Sequence, residues 1–143
     1  IHWLRGTLIY LVAVLRALRS YEQPHITVEW DDGRASERML LVSVGNGNVT
    51  GGAFRLTPDA ELDDGQLDFV FGTAMSRLQI LRFLPLVFGG QHVHRPEVTM
   101  GRTTRLTITS DDPLPVGADG EILSTEAHHL EFEIIPAKLR VIC

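Results

Sequence analysis

LVSVGNGNVTGGAFRLTPDAELDDGQLDFVF, running from Leu41 to Phe71, sets the terms on which the rest of the chain is read. Apolar runs at its two ends enclose dense turn chemistry. Gly45-Asn46-Gly47-Asn48 supplies residues that accept positive φ. Gly51-Gly52 removes side chains where backbone or ligand must come close. Ala53 to Thr57 reads as a short strand, Pro58 to Gly65 as a loop, and Leu67 to Phe71 as a strand apolar on both faces. Three acidic residues, Glu61, Asp63 and Asp64, lie in the second turn region. The pattern is a sheet with a site grafted onto its loops. A later acidic turn, Asp119-Gly120-Glu121, is its natural companion.

Toward the N-terminus the period is helical. Leu4, Leu8, Leu11, Leu15 and Leu18 recur at three- and four-residue spacing, which predicts a helix from about Trp3 to Arg19. Arg5, Arg16 and Arg19 lie off that stripe, and Ser20 to Pro24 ends it. The period then becomes two. Ile26, Val28 and Trp30 alternate with Thr27, Glu29 and Asp31, as in a half-buried strand. Asp32-Gly33 is a hairpin turn, and Arg38 to Val44 returns as an apolar partner strand.

Toward the C-terminus, Ser76 to Phe88 forms the second helix, with Ser76 as N-cap and Gly89-Gly90 closing it. Pro85 is expected to kink or end its regular part. This helix is apolar almost all round. It either packs between the sheet and a partner domain or forms a lip that touches lipid, with Arg77 and Arg82 at headgroup level. Strands follow at Glu97 to Met100, Arg105 to Ser110, Leu114 to Val116, Leu130 to Ile135 and Leu139 to Ile142. Many short strands with two helices predict a mainly β fold, an antiparallel β-sandwich over residues 1–143 as a single domain.

Composition narrows the function. A chain of 143 residues with 44% hydrophobic content builds one domain with a real core. Lys+Arg 13 against Asp+Glu 18, net −5, argues against a nucleic-acid partner held by phosphate contacts. The single cysteine, Cys143, leaves no internal disulfide and fits a reducing, cytoplasmic setting. The apolar run Leu8 to Leu15 falls well short of the roughly 20 residues of a membrane span. The opening Ile1-His2-Trp3, without Met, reads as a piece of something longer.

Four groups of residues are candidates for chemistry. Glu61, Asp63, Asp64 and Asp68 surround Gly65 and suit a hard cation, Mg²⁺ or Ca²⁺, or else a solvated acidic hairpin. The alternating Asp ladder of an EF-hand is absent. Asp119-Gly120-Glu121 holds carboxylates on a rigid turn, where one could serve as general base or simply face water. His92 and His94, two apart, would share a face of a strand, whereas His128 and His129 would face opposite ways. A zinc site would need a third ligand. There is no Gly-x-Ser-x-Gly elbow, Walker loop or dinucleotide fingerprint.

These pieces fit one pattern. Gly51-Gly52, Thr57-Pro58-Asp59-Ala60, Leu62-Asp63-Asp64-Gly65-Gln66-Leu67-Asp68, Asp119-Gly120-Glu121 and Ile135-Pro136-Ala137-Lys138-Leu139-Arg140-Val141 resemble the C-terminal half of the diacylglycerol kinase-like lipid kinases, which include the sphingosine kinases. The resemblance implies a two-domain kinase whose β-sandwich completes a lipid cleft. It implies that Glu121 takes the proton from a lipid hydroxyl, with Asp119 beside it. It implies a structural Mg²⁺ held by the Asp64 side chain and the backbone carbonyls of Glu61 and Gln66. ATP would be bound by an N-terminal nucleotide-binding domain, whose Gly-Gly-Asp-Gly-Thr loop these residues lack. The chain is therefore expected to be inactive alone. Its expected partners are a lipid substrate, that N-terminal domain, and peripheral contact with the inner face of the membrane. A sandwich without its partner domain exposes an apolar patch, which predicts a homodimer through the N-terminal helix. Two other readings are a non-catalytic β-sandwich binding module with a cation-stabilised acidic loop, and a NAD kinase-like domain acting on a dinucleotide.

Overall fold

The computed structural model describes residues 16, 18–51 and 54–137. Among the described residues, six strands, one complete helix and one 3₁₀ turn follow in order: β1 (His25–Trp30), β2 (Gly33–Gly45), β3 (Leu67–Thr73), α1 (Arg77–Phe88), the 3₁₀ turn Gln91–His94, β4 (Val98–Thr103), β5 (Arg105–Ala118) and β6 (Glu121–Glu133). All strand pairs are antiparallel, in the order β4-β3-β2-β1-β5-β6. The expected Trp3–Arg19 helix falls mostly outside the described residues, within which 16 and 18–20 are helical. The expected strand Leu139 to Ile142 lies wholly outside them.

Two corners turn this single sheet into a sandwich. The first half of β2 pairs with β1 through Arg38, and the second half pairs with β3 from Met39 onward. Between them a bulge sets Met39 opposite Thr73 and Leu41 opposite Gly72, leaving Leu40 extra. A bulge bends its strand and increases its twist. The second corner is Thr104, the single residue between β4 and β5. Because β4 pairs with β3 and β5 with β1, the chain crosses from one layer to the other at that residue. A side-chain clasp holds the corner. The Asp31 carboxylate accepts from the Thr104 N–H at 2.7 Å and its hydroxyl at 2.8 Å, and the Asp31 N–H donates to Thr103 Oγ1 at 3.2 Å. These donors hold the Asp31 carboxyl below the usual carboxylate range.

The core fills the space between layers. Ile26 and Val28 of β1, Leu106 and Ile108 of β5, and Leu114 further along β5 meet Met39 and the rings of Phe69 and Phe71. The Trp30 and Phe69 rings stand 5.1 Å apart and tilted at 46°. Each fully buried side chain of this size contributes about 1.5–3 kcal/mol of transfer free energy. Alternation is clean on β1, where Ile26 and Val28 are buried and their neighbours face outward. On β3, five consecutive residues are buried because both faces are covered.

Several boundaries differ from the sequence reading. Ala53 to Thr57 is not a strand: Thr50 and Phe54 form an isolated bridge, and Ala53 lies outside the described residues. Cross-contacts to other elements hold this segment in place of a ladder. The Arg55 N–H donates to the Val87 carbonyl at 3.1 Å, and Thr57 Oγ1 to the Gly47 carbonyl at 2.9 Å. Helix α1 runs through Pro85 to Phe88 and is capped at Gly89. Segments read as Arg105 to Ser110 and Leu114 to Val116 are one strand, β5, despite Pro113 and Pro115. Beyond Ser110 that side of β5 no longer pairs with β1, so a missing N–H costs no ladder bond there.

Candidate functional site

Two loops carry the acidic residues singled out above. The first is the β5–β6 turn. β5 ends at Ala118 and β6 begins at its register partner Glu121, leaving Asp119 and Gly120 as the two turn residues. Their φ angles are 51° and 88°. Two positive values in a two-residue hairpin are what Asp-Gly supplies most readily, because its twist matches that of the strands. The turn therefore holds the Asp119 and Glu121 backbones at the tip of a ribbon. Both residues are exposed. Along that ribbon Ile122 and Leu123 are 79% and 64% exposed although they are neighbours, so both faces of the arm stand clear of the sandwich.

The arm forms one wall of a cleft of about 1180 Å³. Asp119, Gly120 and Glu121 line it together with Leu41, Val44, Val49, Leu114, Leu130 and Phe132. Gly45 at the end of β2, with Asn46 and Gly47 of the turn after it, lines the opposing side. Two carboxylates thus sit beside a cavity lined more by apolar than by polar surface.

The second loop spans residues 58–66, behind that opposing side. Asn46 Nδ2 donates to the Leu62 carbonyl at 3.1 Å and couples the loop to the cleft wall. Asp64 Oδ1 accepts the Gln66 N–H at 2.9 Å, an Asx turn that shapes the bend at Gly65. Asp64 Oδ2 is buried without a hydrogen-bond partner among the described residues and lies 3.8 Å from Arg102 Nη1. Asp68 is 3% exposed and accepts from Arg102 Nε at 3.2 Å. Burial pushes the Asp68 carboxyl above its ordinary range, while Arg102 pulls the other way. Arg102 also donates through Nη2 to the Asp59 carbonyl.

The structure therefore brings Asp119 and Glu121 to the cleft but keeps Glu61, Asp64 and Gln66 off its lining. The acidic loop supports the site through Asn46. Among the described residues no three His, Cys, Asp or Glu side chains converge as a metal cluster. A cation held by one carboxylate and backbone carbonyls is a different donor set. The buried Asp64 Oδ2, which accepts no hydrogen bond among the described residues although Arg102 lies beside it, fits it, as does the oxygen chemistry of the loop. When bound, such an ion would clamp the loop.

Arg102 and Asn46 escaped the sequence reading. Arg102 is the direct register partner of Asp68, so its role follows only once β3 and β4 are paired. The histidine reading is corrected. His92 and His94 lie on the 3₁₀ turn, not a strand, because Gly90 at φ 71° breaks the chain direction before them. His92 is buried, with Nε2 3.0 Å from the Leu56 carbonyl, a structural contact. His128 and His129 lie on β6, where Ser110 and Glu131 occupy them.

Comparison with known proteins agrees with this architecture. The sequence profile described as YegS C-terminal NAD kinase beta sandwich-like domain matches residues 1–143. The chain is 29% identical over 141 residues to a diacylglycerol kinase of Mycobacterium tuberculosis, covering 98% of this chain and 45% of that protein. It is 28% identical over 137 residues to the "Probable lipid kinase YegS-like" of Xanthomonas oryzae pv. oryzae, covering 95% and 44%. A crystal structure of a diacylglycerol kinase from Bacillus anthracis superposes with a TM-score of 0.61 at 20% identity, covering 85% of this chain and 44% of that one. The chain thus spans less than half the length of these relatives.

Proposed function

The chain belongs to the family of the YegS C-terminal NAD kinase beta sandwich-like domain, and from that premise we propose that it is the lipid-side domain of an ATP-dependent lipid kinase. The observation that supports this reading most is the Asp119-Gly120-Glu121 turn on the rim of a large, apolar-walled cleft. Apolar walls suit acyl chains, and a lipid hydroxyl would then lie at the rim beside Glu121. The Glu121 carboxylate accepts the hydroxyl proton as the hydroxyl oxygen bonds to the γ-phosphorus of ATP. The bond from that phosphorus to the bridging oxygen breaks, giving ADP and the lipid phosphate. Asp119 stands two residues away, across Gly120, and orients the hydroxyl. No phosphate-cradling glycine loop is present in these 143 residues, so nucleotide binding belongs to an additional domain, as the greater length of the relatives allows. Mg²⁺ in the acidic loop would be held by Asp64 with the Glu61 and Gln66 carbonyls, away from the reacting atoms.

The test is Glu121→Gln in a protein carrying both halves. Loss of a general base lowers turnover by about 10²–10⁴-fold. A near-normal rate of lipid phosphorylation with an unchanged pH profile would overturn the assignment. Replacing the lipid acceptor by NAD in the same assay separates this reading from a dinucleotide kinase. The loop is tested on its own. Mg²⁺ at about a hundred times its Kd should stabilise the chain by about 2.7 kcal/mol in thermal unfolding, and Asp64→Asn should abolish that gain. An equal Mg²⁺ response in the variant would remove Asp64 from the ligand set.

A further inference from the structure

Beyond Ser110 the β5–β6 ribbon leaves the sandwich through one irregular joint. Thr109 pairs with His129 and the next register pair is Leu114 with Ala127, so Ser110 to Pro113 of β5 face the lone His128 of β6. Extra residues on one strand bend it and re-aim what lies past them. The joint falls where β5 parts from β1, whose last pair with it is Ile26 with Ser110. Leu114, 6% exposed, anchors the base of the arm in the core, and none of residues 115–126 is buried. A ring of hydrogen bonds fixes the angle. Ser110 Oγ donates to the His25 carbonyl at 2.8 Å and accepts the Asp112 N–H at 3.1 Å, while Asp112 Oδ2 accepts the His25 N–H at 3.3 Å. From the other strand, His128 Nδ1 donates to the Ser110 carbonyl at 3.0 Å. A hollow of about 270 Å³ beside His25, Ser110 and His128 leaves the joint room to bend. The cleft itself is lined by exposed apolar side chains both on the arm, Ile122 and Leu123, and off it, Leu41 and Val49.

We propose that the arm is a flap hinged at this bulge, and that Ser110, Asp112 and His128 are positioning residues for the carboxylates at its tip. Nine residues of strand from Ser110 to Asp119 make a lever of about 30 Å, so a turn of about 10° at the joint carries the tip about 5 Å. Closing the flap on an acyl chain takes Ile122, Leu123, Leu41 and Val49 out of water together and shields Glu121 from solvent. Opening it admits and releases the lipid. The choice of lipid as occupant, and of Glu121 as the group to be placed, rests on the function proposed above; the hinge itself rests on the register of β5 and β6 and the bonds at Ser110.

The experiment measures the arm directly, by double electron–electron resonance on the 143-residue chain carrying Cys143→Ser. Spin labels at Asn48→Cys and Thr125→Cys, both exposed and off the cleft lining, report the distance from the opposing wall to the arm. A second pair, Asn48→Cys with Glu29→Cys on β1, reports the body of the sandwich. The first pair should give the broader distribution, and adding dioctanoylglycerol should narrow it and shift it several ångströms shorter. Ser110→Ala with Asp112→Ala, or His128→Ala, should widen it further without lipid, whereas Ser110→Thr, which keeps the hydroxyl, should match the parent. In a protein carrying both halves, the Ser110/Asp112 double variant should lower kcat about 10²-fold at an unchanged KM for ATP, the loss that a misplacement of about 1 Å brings. Circular dichroism confirms that each variant is folded. A merely structural role for these residues would lower the urea midpoint and leave the distance distribution alone. Equal widths for the two pairs in the parent, or a distance that dioctanoylglycerol does not move, would overturn the flap. Variants as narrow as the parent would remove Ser110, Asp112 and His128 from its control. A distance that still shifts while Glu121→Gln keeps a near-normal rate would leave the flap standing and sink the base assignment instead.

Discussion

At position 101 a hydrogen in place of a methyl group decides how closely β4 approaches β3. Gly101 lies directly opposite Phe69, whose ring covers it, and a Cβ there would come within 2.5 Å of the ring. Phe69 is fully buried and cannot swing aside. Gly101→Ala should therefore cost about 1–3 kcal/mol, the range for overpacking a filled core. A urea midpoint unchanged from the parent would show that β4 yields instead. The same residue scale separates what was legible in the sequence from what was not. Asp119-Gly120 could be read directly, because its turn chemistry is local and few dipeptides satisfy two positive φ values. Arg102 could not. Its meaning comes from Asp68 across a ladder and from Asp64 and Asp59 on a loop, none of them near it in sequence.

At the level of elements, periodicity worked where one face of an element is buried and failed where both or neither are. β1 alternates, and its period of two is plain in the sequence. The first half of β6 shows no alternation because both faces of the arm are exposed, so the strand was expected only from Leu130. Helix α1 was found by its apolar spacing and by Ser76. That residue makes a full capping box: its N–H donates to Gln79 Oε1 at 2.9 Å, and its hydroxyl accepts the Gln79 N–H at 3.4 Å. Ser76→Ala should destabilise the chain by about 1 kcal/mol, read as a lower midpoint in urea. A stabilised variant would mean that the helix start is set by packing against Met75 alone. Pro85 did not end the helix. It sits on the exposed face, and the four helical residues beyond it, counting Pro85 itself, close on Gly89.

For the molecule as a whole, the sandwich was legible from strand number and turn density, whereas the two corners that make it were not. A bulge at Met39 and a one-residue crossing at Thr104 have no local signature, since each is defined by what pairs on either side. The clasp of Asp31 on Thr104 gives this closure a pH dependence. Its carboxyl is held below the ordinary value of about 3.9, so its stabilising contribution is present above that value and is lost as pH falls through the lower, folded-state value. Asp31→Asn should be less stable than the parent near neutral pH, and the gap should close in strong acid. A gap that stays constant down to about pH 2 would show that the ionised carboxylate is not the cause.

The corner at Thr104 also has a consequence for a chain emerging from the ribosome. β1 is made early and finds β2 at once, but its other edge waits for β5, which arrives only after β3, α1 and β4. Until Ser110 reaches Ile26, the nascent hairpin presents an unpaired strand edge and half a hydrophobic core. Pairings this distant in sequence form slowly, and bare edges in the interval invite association with other chains. Slow translation between β2 and β5 should therefore lower the soluble yield more than an equal delay after β6. This is a vulnerability in time that the finished sandwich, with β1 covered on both sides, no longer shows.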